Sequence, residues 1–293
     1  MKFAIINDAH IGPSESGFEK GIHRKLVNQS ETILASVITT LNQAEKPELV
    51  INLGDSIEDV NDRQVDIRSF NQFISLVAPI AAPIYHSIGN HDVRTLTEAE
   101  IARLLGYEKM YYSFDHGQYH FVVLSFQIIG DHTHIKEDIL AIVPPEQIEW
   151  LKTDLKQTDK PALIFTHYGL AEDDMKGNFW FEADPHFALF DNRRKIKSIL
   201  EQSGKVKAVF NAHQHWNRMH VENNIPYFTL TSMSENFKND GIPTKAYTIV
   251  NLNKDKIIVS VKGNDPAQWE FRFSNSWQYH TIIVYLLYAN ANH

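Results

Sequence analysis

The chain has 293 residues, of which 43% are hydrophobic and 22% charged, with a formal net charge of −8. That balance fits a globular protein with a sizeable core, and its acidity disfavours a general nucleic-acid binder, whose partner's phosphates need a basic surface. Cysteine is absent, which excludes disulfides and thiolate metal sites, and no apolar stretch approaches the ~20 residues that span a bilayer. The longest candidate, Thr281 to Tyr288, is far too short. Lys2 is followed almost at once by Asn7, Asp8 and His10, unlike a secretory leader, so the expectation is a cytoplasmic protein with no membrane partner.

In chain order, the short apolar run Phe3-Ala4-Ile5-Ile6 reads as a buried strand. Leu26, Ile33, Leu34, Val37, Ile38 and Leu41 then recur at helical spacing. A second strand is predicted over Leu49 to Leu53, followed by a helix carrying Ile67, Phe70, Phe73, Ile74 and Val77. A third strand covers Ile84 to Ile88. Thr97 with Glu100 forms a capping box ahead of Ile101, Leu104 and Leu105. His120 to Phe126 reads as a strand, and Pro144-Pro145 opens a helix with Ile148, Trp150, Leu151 and Leu155. Ala162 to Phe165 and Val206 to Phe210 are two more strands, flanking a helix over Arg193 to Gln202 that ends near Gly204. Further strands are predicted over Tyr227 to Thr231, Ala246 to Leu252, Ile257 to Lys262 and Trp269 to Phe273. Alternating strands and helices early in the chain predict an α/β fold. One domain is expected over 1–273, with 274–293 as a C-terminal extension. For its apolar run Ile282 to Leu287, an added strand or covering helix is the first reading. An oligomer contact is the second, and an appended or disordered tail the third.

Five strand ends carry metal-ligand residue types in a fixed order. They are Asp8-Ala9-His10, Gly54-Asp55, Gly89-Asn90-His91-Asp92, Thr166-His167 and Asn211-Ala212-His213-Gln214-His215. Ligands of α/β sheets bind outside the carboxyl ends of the strands, so five such ends converge on one edge. A pair of cations needs a ligand that reaches both; a carboxylate can bridge and an imidazole cannot, which singles out Asp55. Mixed imidazole and oxygen donors suit manganese, iron or zinc.

The ordered set resembles the calcineurin-like metallophosphoesterase superfamily, with its D-x-H, G-D, G-N-H-D/E, H and G-H-x-H pattern, over roughly the first three quarters of the chain. One position departs from it: Ala212 stands where that pattern has Gly. The resemblance implies a four-layer α/β/β/α sandwich of two mixed sheets flanked by helices, and two divalent or transition metal ions per chain. It implies Asp8, His10, Asp55 and His215 for one metal, and Asp55, Asn90, His167 and His213 for the other. His91 is then the non-ligand histidine beside the leaving-group oxygen, with Asp92 orienting its ring, and a metal-bridging hydroxide is the nucleophile. The implied activity is hydrolysis of a small phosphate ester. The reading leans to phosphodiester or nucleotide-type substrates, with a phosphomonoesterase as the alternative; a nuclease or a non-catalytic interaction module ranks lower.

Other residues have plainer readings. Glu58, Asp59 and Asp62 are read as surface acids closing a helix start, and His116 and His120 as solvated or paired on a strand surface. Asp131-His132-Thr133-His134 is a solvated loop first, a pocket wall second and an extra metal site last. The aromatics Trp180, Phe181, Phe187 and Phe190 belong to a packed lid or stack on a substrate ring. Arg193, Arg194, Lys195 and Lys197 read as a solvated helix face first and a phosphate-attracting group second.

Overall fold

A computed structural model describes residues 1–19, 22–129, 140–273 and 283–285. One seven-stranded sheet runs, from edge to edge, through Ile283–Tyr285, Ala267–Arg272, Lys256–Lys262, Tyr247–Leu252, Lys2–Ile6, Val50–Asn52 and Ile84–His86. Its last three strands are parallel and the others antiparallel. A six-stranded sheet orders Arg218–Glu222, Ile225–Thr229, Val206–Asn211, Ala162–Phe165, Tyr119–Val123 and Tyr112–His116, with four parallel strands between two antiparallel edges.

The two sheets face each other because their strands are apolar on both sides. Phe3 and Ile5 point inward to Phe121, Phe165, Phe210 and Phe228 of the opposite sheet. Those phenylalanines stack across neighbouring strands at centroid separations of 5.2–5.6 Å. Phe3 meets three of them edge-on. Each buried phenylalanine contributes about 1.5–3 kcal/mol, so this seam is a large share of the core. Ala4 and Ile6 point the other way, onto Ile33, Leu34 and Val37 of the helix Val27–Thr40 and Phe73 of the helix Arg63–Val77. Ile164 and Val209 likewise meet Ile148, Leu151 and Leu155 of Pro145–Gln157 and Ile196 and Leu200 of Arg193–Ser203. The result is the expected four-layer sandwich of two mixed sheets flanked by helices.

Local rules hold at the helix ends. Thr97 and Glu100 form the reciprocal capping box of Glu98–Leu105, and Gly204 takes the left-handed C-cap of the fifth helix. Asp62 caps the second helix through the backbone N–H groups of Gln64 and Val65. His120 departs from its surface reading: it is buried and lies between Asp115 at 2.7 Å and Asp154 at 2.8 Å, tying its strand to a helix. The backbone of Ile283–Tyr285 pairs with Ala267–Arg272 as an edge strand. Asp131 to His134 lie outside the described residues. Among the described residues no helix is long and apolar enough to cross a membrane.

Candidate metal centre

The strand ends are stitched together by their own backbones. Asp8 N–H donates to Gly54 O and His10 N–H to Asp55 O, so the first two motifs run side by side beyond their strands. Ala212 N–H donates to His167 O, and His91 N–H to Asp55 Oδ1 at 2.9 Å. Asp8, His10, Asp55, His213 and His215 all have φ between 47° and 68°, the left-handed region that side chains with a Cβ enter at a cost of the order of 1 kcal/mol or more. Five strained residues at one edge persist only where the surrounding structure holds them. Ala212 is not among the left-handed residues and is fully buried in the seam between the sheets. Alanine is therefore accommodated where the family pattern has glycine.

These side chains converge on two groups that share Asp55. Asp8, His10, Asp55 and His215 bring ligand atoms within 4.8 Å of one another, and so do Asp55, His167 and His213. His10 Nε2 faces His215 Nε2 at 3.3 Å. His167 Nε2 lies 3.3 Å from Asp55 Oδ2 and 3.2 Å from Asn90 Oδ1, which adds the amide to the second group. Asp8 Oδ1 is buried without a hydrogen-bond partner, although buried polar atoms are nearly always paired. A cation would satisfy it and the facing imidazoles together, so the donor set fits a pair of metal ions. Three of the imidazoles are hydrogen-bonded from behind, and His10 has a carboxylate behind its Nδ1 at ion-pair distance without hydrogen-bond geometry. Glu58 Oε2 lies 2.9 Å from His10 Nδ1, and Glu235 accepts from His215 Nδ1. The carbonyls of Leu53 and Phe187 lie 2.9 Å from His167 Nδ1 and 3.0 Å from His213 Nε2. Such partners fix the ring orientation of metal-binding histidines.

The electrostatics match a cation site. Burial opposes ionisation of Asp55, but His167, His91 and His10 hold its carboxyl well below the usual carboxylate range. Asp8 is lowered in the same way by His215. Burial works against protonation of His167 and His215, yet Asp55 and Asp8 raise the first to about 9, and Asp8 with Glu235 raise the second to about 10. Burial and the neighbouring His167 push His213 down to about 3.

His91 is arranged differently from its expected setting. The Asp92 carboxylate does not serve the His91 ring; it accepts from the backbone N–H groups of Ser56, Ile57 and Gly89. Asp92 is buried at 1% exposure and welds the second motif to the third. Asp59 takes the expected role, with Oδ1 2.7 Å from His91 Nδ1. Glu58 and Asp59 are therefore part of the site and not surface acids; they follow Asp55 on the same loop, and that adjacency was the available signal. Lys25 Nζ stands 2.9 Å from His91 Nε2 and 3.0–3.1 Å from both Glu58 oxygens. Burial and Lys25 lower the His91 pKa while Glu58, Asp55 and Asp59 raise it, with a net rise. An ammonium at 2.9 Å can still only donate into Nε2, so the ring proton belongs on Nδ1, toward Asp59.

A pocket of about 570 Å³ opens over these groups. Asp55, Asn90, His91, His213 and His215 form its floor, and Trp180 and Phe181 one wall. The segment from Glu15 to Glu19, which ends in the short strand Phe18–Glu19 and has no reading in the sequence analysis, forms another wall. Trp180 Nε1 donates to Glu235, which fixes the indole against the site. Arg193 and Lys197 pair with Glu172 and Glu222 instead of facing the pocket.

Fold and site together define a metal-dependent phosphoester hydrolase. The sequence profile of the calcineurin-like phosphoesterases matches residues 1–217, and the chain belongs to that family. No curated protein matches it. Among solved structures it is similar to a dimetal phosphatase from Danio rerio, at 17% identity and a TM-score of 0.74, covering 94% of this chain and 99% of that one. It is also similar to GAP50, described as the anchor in the inner membrane complex of Plasmodium, at 11% identity and TM-score 0.57, covering 97% and 88%. A third is a protein from Staphylococcus aureus described as a putative 5′-nucleotidase, at 11% identity and TM-score 0.50; the match covers 89% of this chain and about half (52%) of that one.

Proposed function

We propose that this hydrolase is a two-metal phosphodiesterase of small, nucleotide-type substrates. Asp8, His10, Asp55 and His215 would hold one ion, and Asp55, Asn90, His167 and His213 the other. Manganese, iron or zinc suits this mixed nitrogen and oxygen set. When bound, two divalent cations neutralise phosphoryl oxygens and lower the pKa of the attacking water towards ~7. His91 faces the pocket beside them and acts on the leaving-group side, with Asp59 fixing its tautomer. Trp180 and Phe181 offer a flat apolar wall that suits a base or ring.

The observation that carries the diester reading is the sign of the pocket wall. Glu15, Glu19, Glu58 and Asp59 line it, and Lys25 and Arg94 offset only the last two; the acidity left at Glu15 and Glu19 disfavours a phosphomonoester, close to a dianion at neutral pH, more than a singly charged diester. The test is hydrolysis of bis-p-nitrophenyl phosphate against p-nitrophenyl phosphate, after loading metal-stripped protein with manganese, zinc or iron. A kcat/KM preference of at least about tenfold for the diester is the expected result. A preference for the monoester would make the protein a phosphatase.

A further inference from the structure

We infer that Lys25 is a catalytic residue of the phosphoester hydrolysis, the proton donor to the departing oxygen, acting as a pair with His91. This rests on His91 lying on the leaving-group side. Lys25 lines the pocket, yet its side chain is only 9% exposed. Its ammonium is aimed by three groups: Glu58 at 3.0–3.1 Å, His91 Nε2 at 2.9 Å, and the Trp180 ring with its centroid at 5.4 Å. The backbone beneath it is equally fixed. Lys25 N–H donates to Gly17 O, and a Cβ on Gly17, whose φ is +78°, would collide with the Lys25 carbonyl.

If Lys25 served only to neutralise Glu58, it would have no need to reach His91. In the free protein its Nζ meets Nε2, the His91 ring nitrogen that Asp59 leaves open. A leaving oxygen arriving there competes for the same proton. As the bond from phosphorus to that oxygen breaks, the oxygen keeps the electron pair and takes the Lys25 proton, departing as an alcohol. The water oxygen forms the new bond to phosphorus, and one of its protons returns through solvent to Lys25. His91, held at Nδ1 by Asp59, keeps the Lys25 side chain in place while its amine waits for that proton.

The test uses the full chain loaded with manganese and a series of substituted diphenyl phosphates, from nitrophenol to phenol as leaving group. Lys25→Met should keep two metals per chain and lose about 100-fold in kcat for phenol, but less than about fivefold for nitrophenol, which needs no proton. Lys25→Ala should regain turnover of the phenol ester when propylamine is added, and Lys25→Arg should retain more of it than Lys25→Met. An equal loss across the series, absence of loss, or loss of bound metal in both Lys25→Met and Lys25→Arg would overturn the inference. If the wild-type chain hydrolyses none of the diesters with any metal, the proposed function falls and this role with it. A wild-type chain that is active beside variants with a uniform loss removes Lys25 alone.

Discussion

Asp59 Oδ1 lies 2.7 Å from His91 Nδ1, while the neighbouring Asp92 turns its carboxylate onto three backbone N–H groups. The two acids therefore fail differently. Asp59→Asn should keep fold and metals and lower kcat about tenfold, in the range seen when an imidazole loses its orienting partner. His91→Ala should keep both metals and lose at least ~100-fold on poor leaving groups. Asp92→Ala strands three buried donors at about 1–3 kcal/mol each, and should appear in urea unfolding as a loss of about 3 kcal/mol or more. A stable Asp92→Ala protein with a selective defect in turnover would reverse the assignment.

Gly89 leaves no room for a side chain. A Cβ there would strike the Asp55 carboxylate and its backbone nitrogen. Gly89→Ala should therefore displace the shared carboxylate and with it both ions. Metal analysis after loading should fall from two equivalents to below one, with circular dichroism unchanged. Two retained equivalents would mean that Asp55 can shift without losing either ion.

Metal uptake should release protons. His167 and His215 are held at about 9 and about 10 by the buried carboxylates beside them, so both carry a proton at pH 7.5 when no cation is bound. A metal ligand must be a neutral imidazole. Titration calorimetry in buffers of different ionisation enthalpy should report about two protons released as both sites fill. Affinity should rise with pH up to about 9–10. A buffer-independent heat would mean that the ions do not engage these rings.

His86 predicts acid lability. Burial alone depresses its pKa to about 4, so between pH 6.5 and about 4 the unfolded chain takes up a proton that the folded chain refuses. The His86 contribution to stability is then full above pH 6.5 and up to about 3 kcal/mol of it is lost as pH falls through that window. His86→Leu should remove this slope. The difference in unfolding free energy between the two proteins at pH 7.5 and 4.5 measures it, and parallel curves would exclude His86 as the source.

Much of the fold was legible because its strands are short apolar runs ended by Gly, Asp and Asn, and its helices repeat their apolar residues at helical spacing. The capping box at Thr97 and the Gly204 stop follow from chain-local chemistry. His120 was misplaced because its burial comes from Asp154, 34 residues away, on a helix that packs against its strand only in the folded chain. The same reason hid Glu235, which reaches His215 across twenty residues of loop and strand, and Lys25, whose partners Glu58 and His91 lie on two other loops.

The sequence by itself carried the family resemblance, which implied the four layers, and it named the residues that converge on the candidate metal centre, because each strand carries its motif at its own end. Which carboxylate serves His91 was decided only by the tertiary structure. Asp59 and Asp92 are both near His91 or Asp55 in the chain, and residue type does not separate them. The left-handed turn at Asp55 and the packing of two parallel loops point one acid at the ring and the other at the backbone. Sequence spacing constrains distance along the chain, whereas the direction of a side chain depends on torsions that the whole packed edge enforces.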